Sequence, residues 1–315
     1  MVPFMKYTSI SEIEGFLAGH RENKEMKTGC TVILAPDGAV ASAYGPGFAP
    51  GTREIELLNP KNLVSSLHAL VLSGGSAFGL ASATGVMRYL KEKNLGFDTG
   101  SIRVPIVSAA VIYDYPKNLS QGTLPDEDMG YAAAVAASKA PLKSGPFGAG
   151  FSAETGKISD TLSSPSGIGS SGIELAGGLK IAALAVVNAV GSVVDPRSGE
   201  IISGVRHPDG TFLSRQEILK ILSGTEPEKE NTNTVLIAVA TNAKMDKLGA
   251  HRLARMAAAG IPRAIYPAHL LWDGDMVFAL SSGTGGEFDA SYLGALAAEL
   301  VSQAIVNSVP PKKRA

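Results

Sequence analysis

Residues 227–242 read PEKENTNTVLIAVATN. A charged, polar segment ends at Asn233, and a dry apolar run begins at Thr234. Residues 223–233 follow a helix stop and read as an exposed loop, whereas the apolar half reads as a rigid strand. The seam has two readings. It is an ordinary loop-to-strand junction, or it is a place where the chain cuts itself and exposes a new catalytic terminus. A threonine hydroxyl is a weak nucleophile until a base removes its proton. A chain-terminal threonine carries its own base, because an α-amine has a reference pKa of about 7.7–8.0. A cut after Asn233 gives Thr234 that amine.

The rest of the chain sets the frame for this junction. It has 315 residues and 45% hydrophobic content, enough to bury a large core. Glycine is abundant at 36 and aromatics are sparse at 6%, a composition for tightly packed small-residue layers with many turns. The formal net charge of -1 provides no global field for nucleic acid or an anionic membrane. The basic end PPKKRA reads as a solvated tail. A single cysteine, Cys30, allows no disulfide within the chain and suits a reducing compartment. The opening MVPFMKYTSISEIEG lacks an apolar signal core, and the longest apolar segments fall short of the ~18 residues expected of a membrane span. These features predict a cytoplasmic protein, so the sequon NLS at 118–120 carries no meaning.

Short apolar runs joined by Gly, Pro and Asp turns predict substantial antiparallel sheet. TVILAPDGAVASAYG (31–45), VGSVVDPRSGEIISG (190–204) and PAHLLWDGDMVFALSSG (267–283) each read as two strands around a turn. Helices are expected over 76–94, 125–140, 214–224, 246–260 and 289–309. The second begins with Pro and three acids, and the third carries Ser214 and Glu217 at capping-box spacing. Strands and helices interleave without strict βαβ alternation, and no internal repeat is visible. The fold class is therefore a layered α/β domain, with helices covering packed antiparallel sheets.

Other motifs lead nowhere sharper. GIGSSG at 167–172 satisfies GxGxxG, but it follows SSPS and leads into IELAGGLKIAALAVV with two further glycines, so no dinucleotide cofactor is expected. The five histidines are scattered and give no metal-site spacing. Cys30 begins a buried-looking strand and reads as packing. LSGGSAFG (72–79) is a strand-to-helix junction whose N–H groups suit an anion; a tight turn that needs glycine is the plainer reading.

From GCTVILAPDGA to NSV the chain resembles the self-cleaving amidases and aminopeptidases, the family that contains NylC and DmpA. LVLSGGSAFGLASATGV, VSAAVIYDY, PDEDMGYAAA, GAGFSAETGKI, AVVNAVGSVVD, NTVLIAVATNAKM and DGDMVFAL carry the resemblance through their order and spacing. It implies a four-layer αββα sandwich of the N-terminal-nucleophile type, with largely antiparallel sheets. It also implies one domain, 1–315, cut at Asn233-Thr234 into chains 1–233 and 234–315, and a homo-oligomer, often a tetramer. Thr234 is then the nucleophile, Lys157 sits near its amine and hydroxyl, and Asn188 donates to the oxyanion. Tyr113 completes that pocket or touches the substrate, and Asp273 and Asp275 bind and orient the amine. No cofactor, metal, nucleic acid or membrane partner is implied; the partner is a small amide or peptide substrate. An acyltransferase using the same threonine, and an uncut binding protein, are the alternatives.

Two departures from the family pattern bear on the nucleophile. Val235 follows it where a second threonine is common. Asn231-Thr232 offers another Asn-Thr junction, and a two-residue shift keeps the same strand face. It moves the hydroxyl by roughly 6.6 Å, so only one threonine fits one constellation. The spacing to ATN selects Thr234.

Overall fold

Strand Thr28–Tyr44 is 17 residues long and organises the architecture. The computed structural model describes residues 6–115, 124–158, 163–224 and 233–311. The 118–120 sequon, most of the 223–233 loop with Thr232, and most of the basic tail lie outside these residues. Residues 28–34 of the long strand pair with Leu17–Asn23, while residues 40–44 pair with Met276–Ser281 along the same edge. Its opposite edge holds Ser66–Ser73, followed by Val107–Val111 and Thr52–Arg53. Beyond Met276–Ser281 come Thr234–Thr241, Lys180–Asn188, Ile168–Glu174 and Lys6–Tyr7. One hydrogen-bonded sheet of ten strands, nine along a single path and Leu17–Asn23 branching from it, therefore folds into two layers.

The buried residues show what each layer faces. Alternation places Leu236, Ala238 and Ala240, with Leu184 and Phe278, against Ile33, Leu70, Leu72 and Ile112 of the other layer. Val235, Ile237 and Val239 face the opposite way, onto helices Lys247–Ala257 and Ala290–Val306. Cys30, Val32, Ala69 and Val71 meet helices Ser82–Glu92 and Glu127–Val135 on the far side. The order helix, sheet, sheet, helix is the αββα sandwich that the family resemblance implies. Most neighbouring strands are antiparallel, but Thr234–Thr241 runs parallel to Met276–Ser281.

Two of the three expected hairpins are absent. The 31–45 segment does not reverse: both of its halves keep the partner Ser66–Ser73, and the register shifts between Leu34 and Ala39. Pro36 has no N–H for a ladder, so the Pro-Asp-Gly signal makes an outward bulge rather than a turn. The 267–283 segment is a loop entering one strand, because Met276–Ser281 pairs with Thr234–Thr241 and Thr28–Tyr44 instead of with its own upstream residues. The 190–204 hairpin forms, with Ser192–Val194 antiparallel to Ile201–Ser203. All five helices form, some shorter than expected, with Asp126, Asp246 and Asp289 capping three of them.

Residues 168–172 of the GIGSSG motif lie in strand Ile168–Glu174, not on a phosphate loop. A Cβ at Gly169 would stand 2.0 Å from the Ala304 carbonyl, so glycine lets helix Ala290–Val306 approach the sheet. Cys30 is fully buried, and burial pushes its thiol up to about 12, which suits packing rather than nucleophilic chemistry.

Candidate active site

Thr234 is the first residue of its strand and stands in register with Asn188, the last residue of Lys180–Asn188. Strand alternation puts its side chain on the face shared with Leu236, toward the space between the sheets. The Asn233–Thr234 peptide is buried, with Asn233 3% and Thr234 7% exposed. The Thr234 hydroxyl donates to the Asn233 carbonyl oxygen at 2.6 Å. The N–H of Gly274 reaches the same oxygen at 2.7 Å. The Thr234 hydroxyl and a backbone N–H therefore meet at one carbonyl, and the Gly274 N–H is placed to stabilise negative charge on its oxygen.

The loop carrying Gly274 is shaped around this junction. Asn233 and Asp273 form an isolated parallel bridge. The Asp273 carbonyl accepts from the N–H groups of Phe48 at 2.8 Å and Ala49 at 3.0 Å, tying a second loop to the first. A Cβ at Gly274 would lie 2.7 Å from both Thr234 Oγ1 and the Ala49 carbonyl, so only glycine leaves room for the hydroxyl. The Asp275 carboxylate accepts the Val235 N–H on Oδ1 at 2.8 Å, while His269 Nδ1 lies 2.8 Å from its Oδ2. The Asp273 carboxylate accepts the Leu270 N–H on Oδ2 at 2.7 Å. Asp273 Oδ1, Asn233 Nδ2 and Trp272 Nε1 are buried without a hydrogen-bond partner among the described residues.

Asn188, Tyr113 and Lys157 approach from other elements. Asn188 Nδ2 donates to the Tyr113 carbonyl at 2.7 Å, and its Oδ1 accepts the Glu154 N–H at 3.2 Å. The donors on the Asn233 carbonyl are therefore the Gly274 N–H and the Thr234 hydroxyl, while Asn188 links the segments of Tyr113 and Glu154. Tyr113 is 42% exposed, and its ring packs edge-on against Tyr115. Burial pushes the Lys157 ammonium down to about 7, opposed by the carboxylates of Glu154, Asp273 and Asp114. Burial, and then the neighbouring Asp275, push the Asp273 carboxyl up to about 7. A lysine and a carboxyl that both exchange protons near neutrality stand within electrostatic reach of each other.

Three contributors escaped the sequence reading. The Gly274 N–H is one; its trace in the sequence is the glycine of Asp-Gly-Asp. Asp114 is another. Its buried carboxylate accepts the Thr28 hydroxyl and the Gly75 N–H, each at 2.7 Å, and burial raises its pKa. It fills the anion-suited turn of LSGGSAFG with the chain's own carboxylate; its signal was its place between two tyrosines. His269 is the third, a lone histidine with no motif around it. Among the described residues no group of three or more His, Cys, Asp or Glu could hold a metal ion. No helix among them is long and apolar enough to cross a membrane.

Comparison with known proteins gives one consistent relationship. The model of peptidase family S58 matches residues 8–312. An uncharacterized aminopeptidase of Mycobacterium tuberculosis (strain ATCC 25618 / H37Rv) is 37% identical over 290 residues, covering 87% of this chain and 81% of the relative. A 6-aminohexanoate-oligomer endohydrolase of Paenarthrobacter ureafaciens is 30% identical over 313 residues, covering 94% of this chain and 84% of the relative. Among solved structures, a Burkholderia sp. beta-aminopeptidase aligns with a TM-score of 0.68 at 19% identity, over 98% of this chain and 87% of that one. An L-aminopeptidase D-Ala-esterase/amidase from Ochrobactrum anthropi, described as a variant of the Ntn hydrolase fold, gives 0.67 at 16% identity, over 96% and 85%. At these identities the structural likeness is one of fold.

Proposed function

The chain belongs to peptidase family S58 and is a hydrolase of C–N amide bonds; we propose that it matures by cutting itself between Asn233 and Thr234 and then uses Thr234 as its nucleophile. The observation that carries this reading is the convergence of the Thr234 hydroxyl and the Gly274 N–H on the Asn233 carbonyl. In maturation, Thr234 Oγ1 attacks that carbonyl carbon, the C–N bond breaks, and the hydroxyl proton passes to the nitrogen as it becomes an amine. The resulting ester takes up water, releasing the Asn233 carboxylate and a free Thr234 hydroxyl. Lys157, held down to about 7, is partly neutral at neutral pH and suits proton transfer at this step.

In turnover the same hydroxyl attacks a substrate amide. The new α-amine takes its proton and returns it to the leaving amine, and water discharges the acyl-enzyme. Asp273 Oδ1, buried and without a partner among the described residues, suits the role of acceptor for the new amine. Asn188, beside Thr234 in register, is assigned to the oxyanion of the substrate, and Tyr113 to the pocket wall. Family membership favours water over an amine as the acceptor. Substrates are linear oligoamides or small peptides, by analogy with the endohydrolase and aminopeptidase relatives. Comparing 6-aminohexanoate oligomers with aminoacyl p-nitroanilides separates these two.

The mature protein is proposed to be a cytoplasmic homo-oligomer, a tetramer by analogy with the family; light scattering of the native protein tests the assembly. The mechanism has a direct test. Purified wild type should run as two bands on a denaturing gel and Thr234→Ala as one inactive band. An active, uncut Thr234→Ala would overturn it.

A further inference from the structure

His269 has no place in the reactions described above, yet its contact is built into the loop that supports them. Its backbone lies at φ 58, a left-handed conformation that a non-glycine residue rarely takes. Side chains held in such conformations concentrate at functional sites, where surrounding contacts hold them. The imidazole is one-quarter exposed and meets a carboxylate that is 3% exposed, with 2.8 Å between Nδ1 and Asp275 Oδ2. The other oxygen of that carboxylate holds the Val235 N–H, the amide that directly follows Thr234. His269, Asp275 and Val235 thus form a hydrogen-bonded strut that ends one peptide from the nucleophile.

The strut matters unequally before and after the cut. In the uncut chain Thr234 is tethered on both sides, with Asn233 held by Gly274 and bridged to Asp273. Cleavage removes the upstream tether. The position of Thr234 then rests on pairing with strand Lys180–Asn188 and on the Asp275 bond to Val235. A carboxylate anchored through one oxygen alone can rotate, and displacements near 1 Å in a reacting group cost on the order of 100-fold in rate.

We infer that His269 is a positioning residue, which fixes the Asp275 carboxylate so that it holds the freed N-terminal end of the Thr234–Thr241 strand in reactive geometry. This inference rests on Thr234 being the terminal nucleophile. It predicts that losing the His269 contact harms turnover more than maturation.

Two substitutions isolate the contact. His269→Gly keeps the left-handed backbone without strain and removes the donor. His269→Asn also tolerates that backbone and places an amide N–H where Nδ1 stands. Maturation is followed as the half-time of the precursor band, and kcat and KM are measured on 6-aminohexanoate oligomers or aminoacyl p-nitroanilides, whichever the wild type hydrolyses. His269→Gly should lower kcat by about 10- to 100-fold with KM little changed, and slow maturation by less; His269→Asn should recover most of the loss. A His269→Gly precursor that stays uncut while His269→Asn matures would overturn the inference, because the contact would then serve the cut rather than the freed strand end. The inference is overturned if His269→Gly turns over like wild type, or if His269→Asn falls as far as His269→Gly. Failure of the wild type to be cut at all would instead defeat the underlying reading of Thr234.

Discussion

At the scale of single residues, the proposed cut depends most on Gly274 and Asp273. Gly274 supplies an N–H to the Asn233 carbonyl and leaves space for the Thr234 hydroxyl. Gly274→Ala keeps the N–H but places a methyl group 2.7 Å from that hydroxyl. Maturation should slow by about 100-fold, because a displacement near 1 Å is enough to break attack geometry. The half-time of the precursor band measures this, and an unchanged half-time would show that the hydroxyl is not constrained there. Asp273 has a pH signature. Its carboxyl is pushed up to about 7, whereas an unfolded aspartate titrates near 3.9. Between those values the folded chain holds a proton that the unfolded chain has lost, so this group's contribution to stability falls as pH rises through that window. Lys157, held down to about 7, acts in the window above 7 and in the opposite direction, with stability rising with pH. In the uncut Thr234→Ala background, Asp273→Asn should therefore stabilise the fold at pH 7.5, on the order of 1–3 kcal/mol, because the amide leaves no buried charge to desolvate. The gain should shrink toward pH 4. Thermal melts at the two pH values test it, and a gain larger at pH 4 would contradict the assignment.

At the scale of elements, the sequence was most informative where local chemistry decides the outcome. The Pro and three acids that open 125–140 and the Ser214–Glu217 box marked helices that do form. The apolar run after Thr234 was legible as a strand because its alternating faces are both buried. The two missing hairpins had the right turn letters, but the partner strand, not the turn, chose the path. Ser66–Ser73 holds both halves of Thr28–Tyr44, and no local pattern announces a partner some 30 residues away. The Gly274 donor was hidden for a related reason, since a backbone N–H has no letter of its own. Asp114 and His269 acquire meaning only from partners brought in by the fold. The GIGSSG run gives an element-scale prediction. Gly169→Ala puts a methyl carbon 2.0 Å from the Ala304 carbonyl and should push helix Ala290–Val306 outward. Overpacking of this kind costs about 1–3 kcal/mol, visible as a lower denaturant midpoint with maturation intact. An unchanged midpoint would mean that the helix yields freely.

At the scale of the whole molecule, the proposed cut would divide the sequence without dividing the architecture. Strand Thr234–Thr241, from the second fragment, pairs along its whole length with Lys180–Asn188 of the first. Met276–Ser281 pairs with Thr28–Tyr44 in the same way, and Ala290–Val306 packs on strands from both fragments. The two chains should therefore co-elute on size exclusion under native conditions and separate only in denaturant. Elution of a free 234–315 fragment would contradict this interlocked arrangement.

The central claim is that Thr234 becomes a chain terminus. N-terminal sequencing of the smaller fragment of the purified wild-type protein tests it most directly. The expected sequence is Thr-Val-Leu-Ile-Ala-Val, starting at Thr234. A fragment starting at Thr232, or a protein that remains a single uncut chain, would contradict the account.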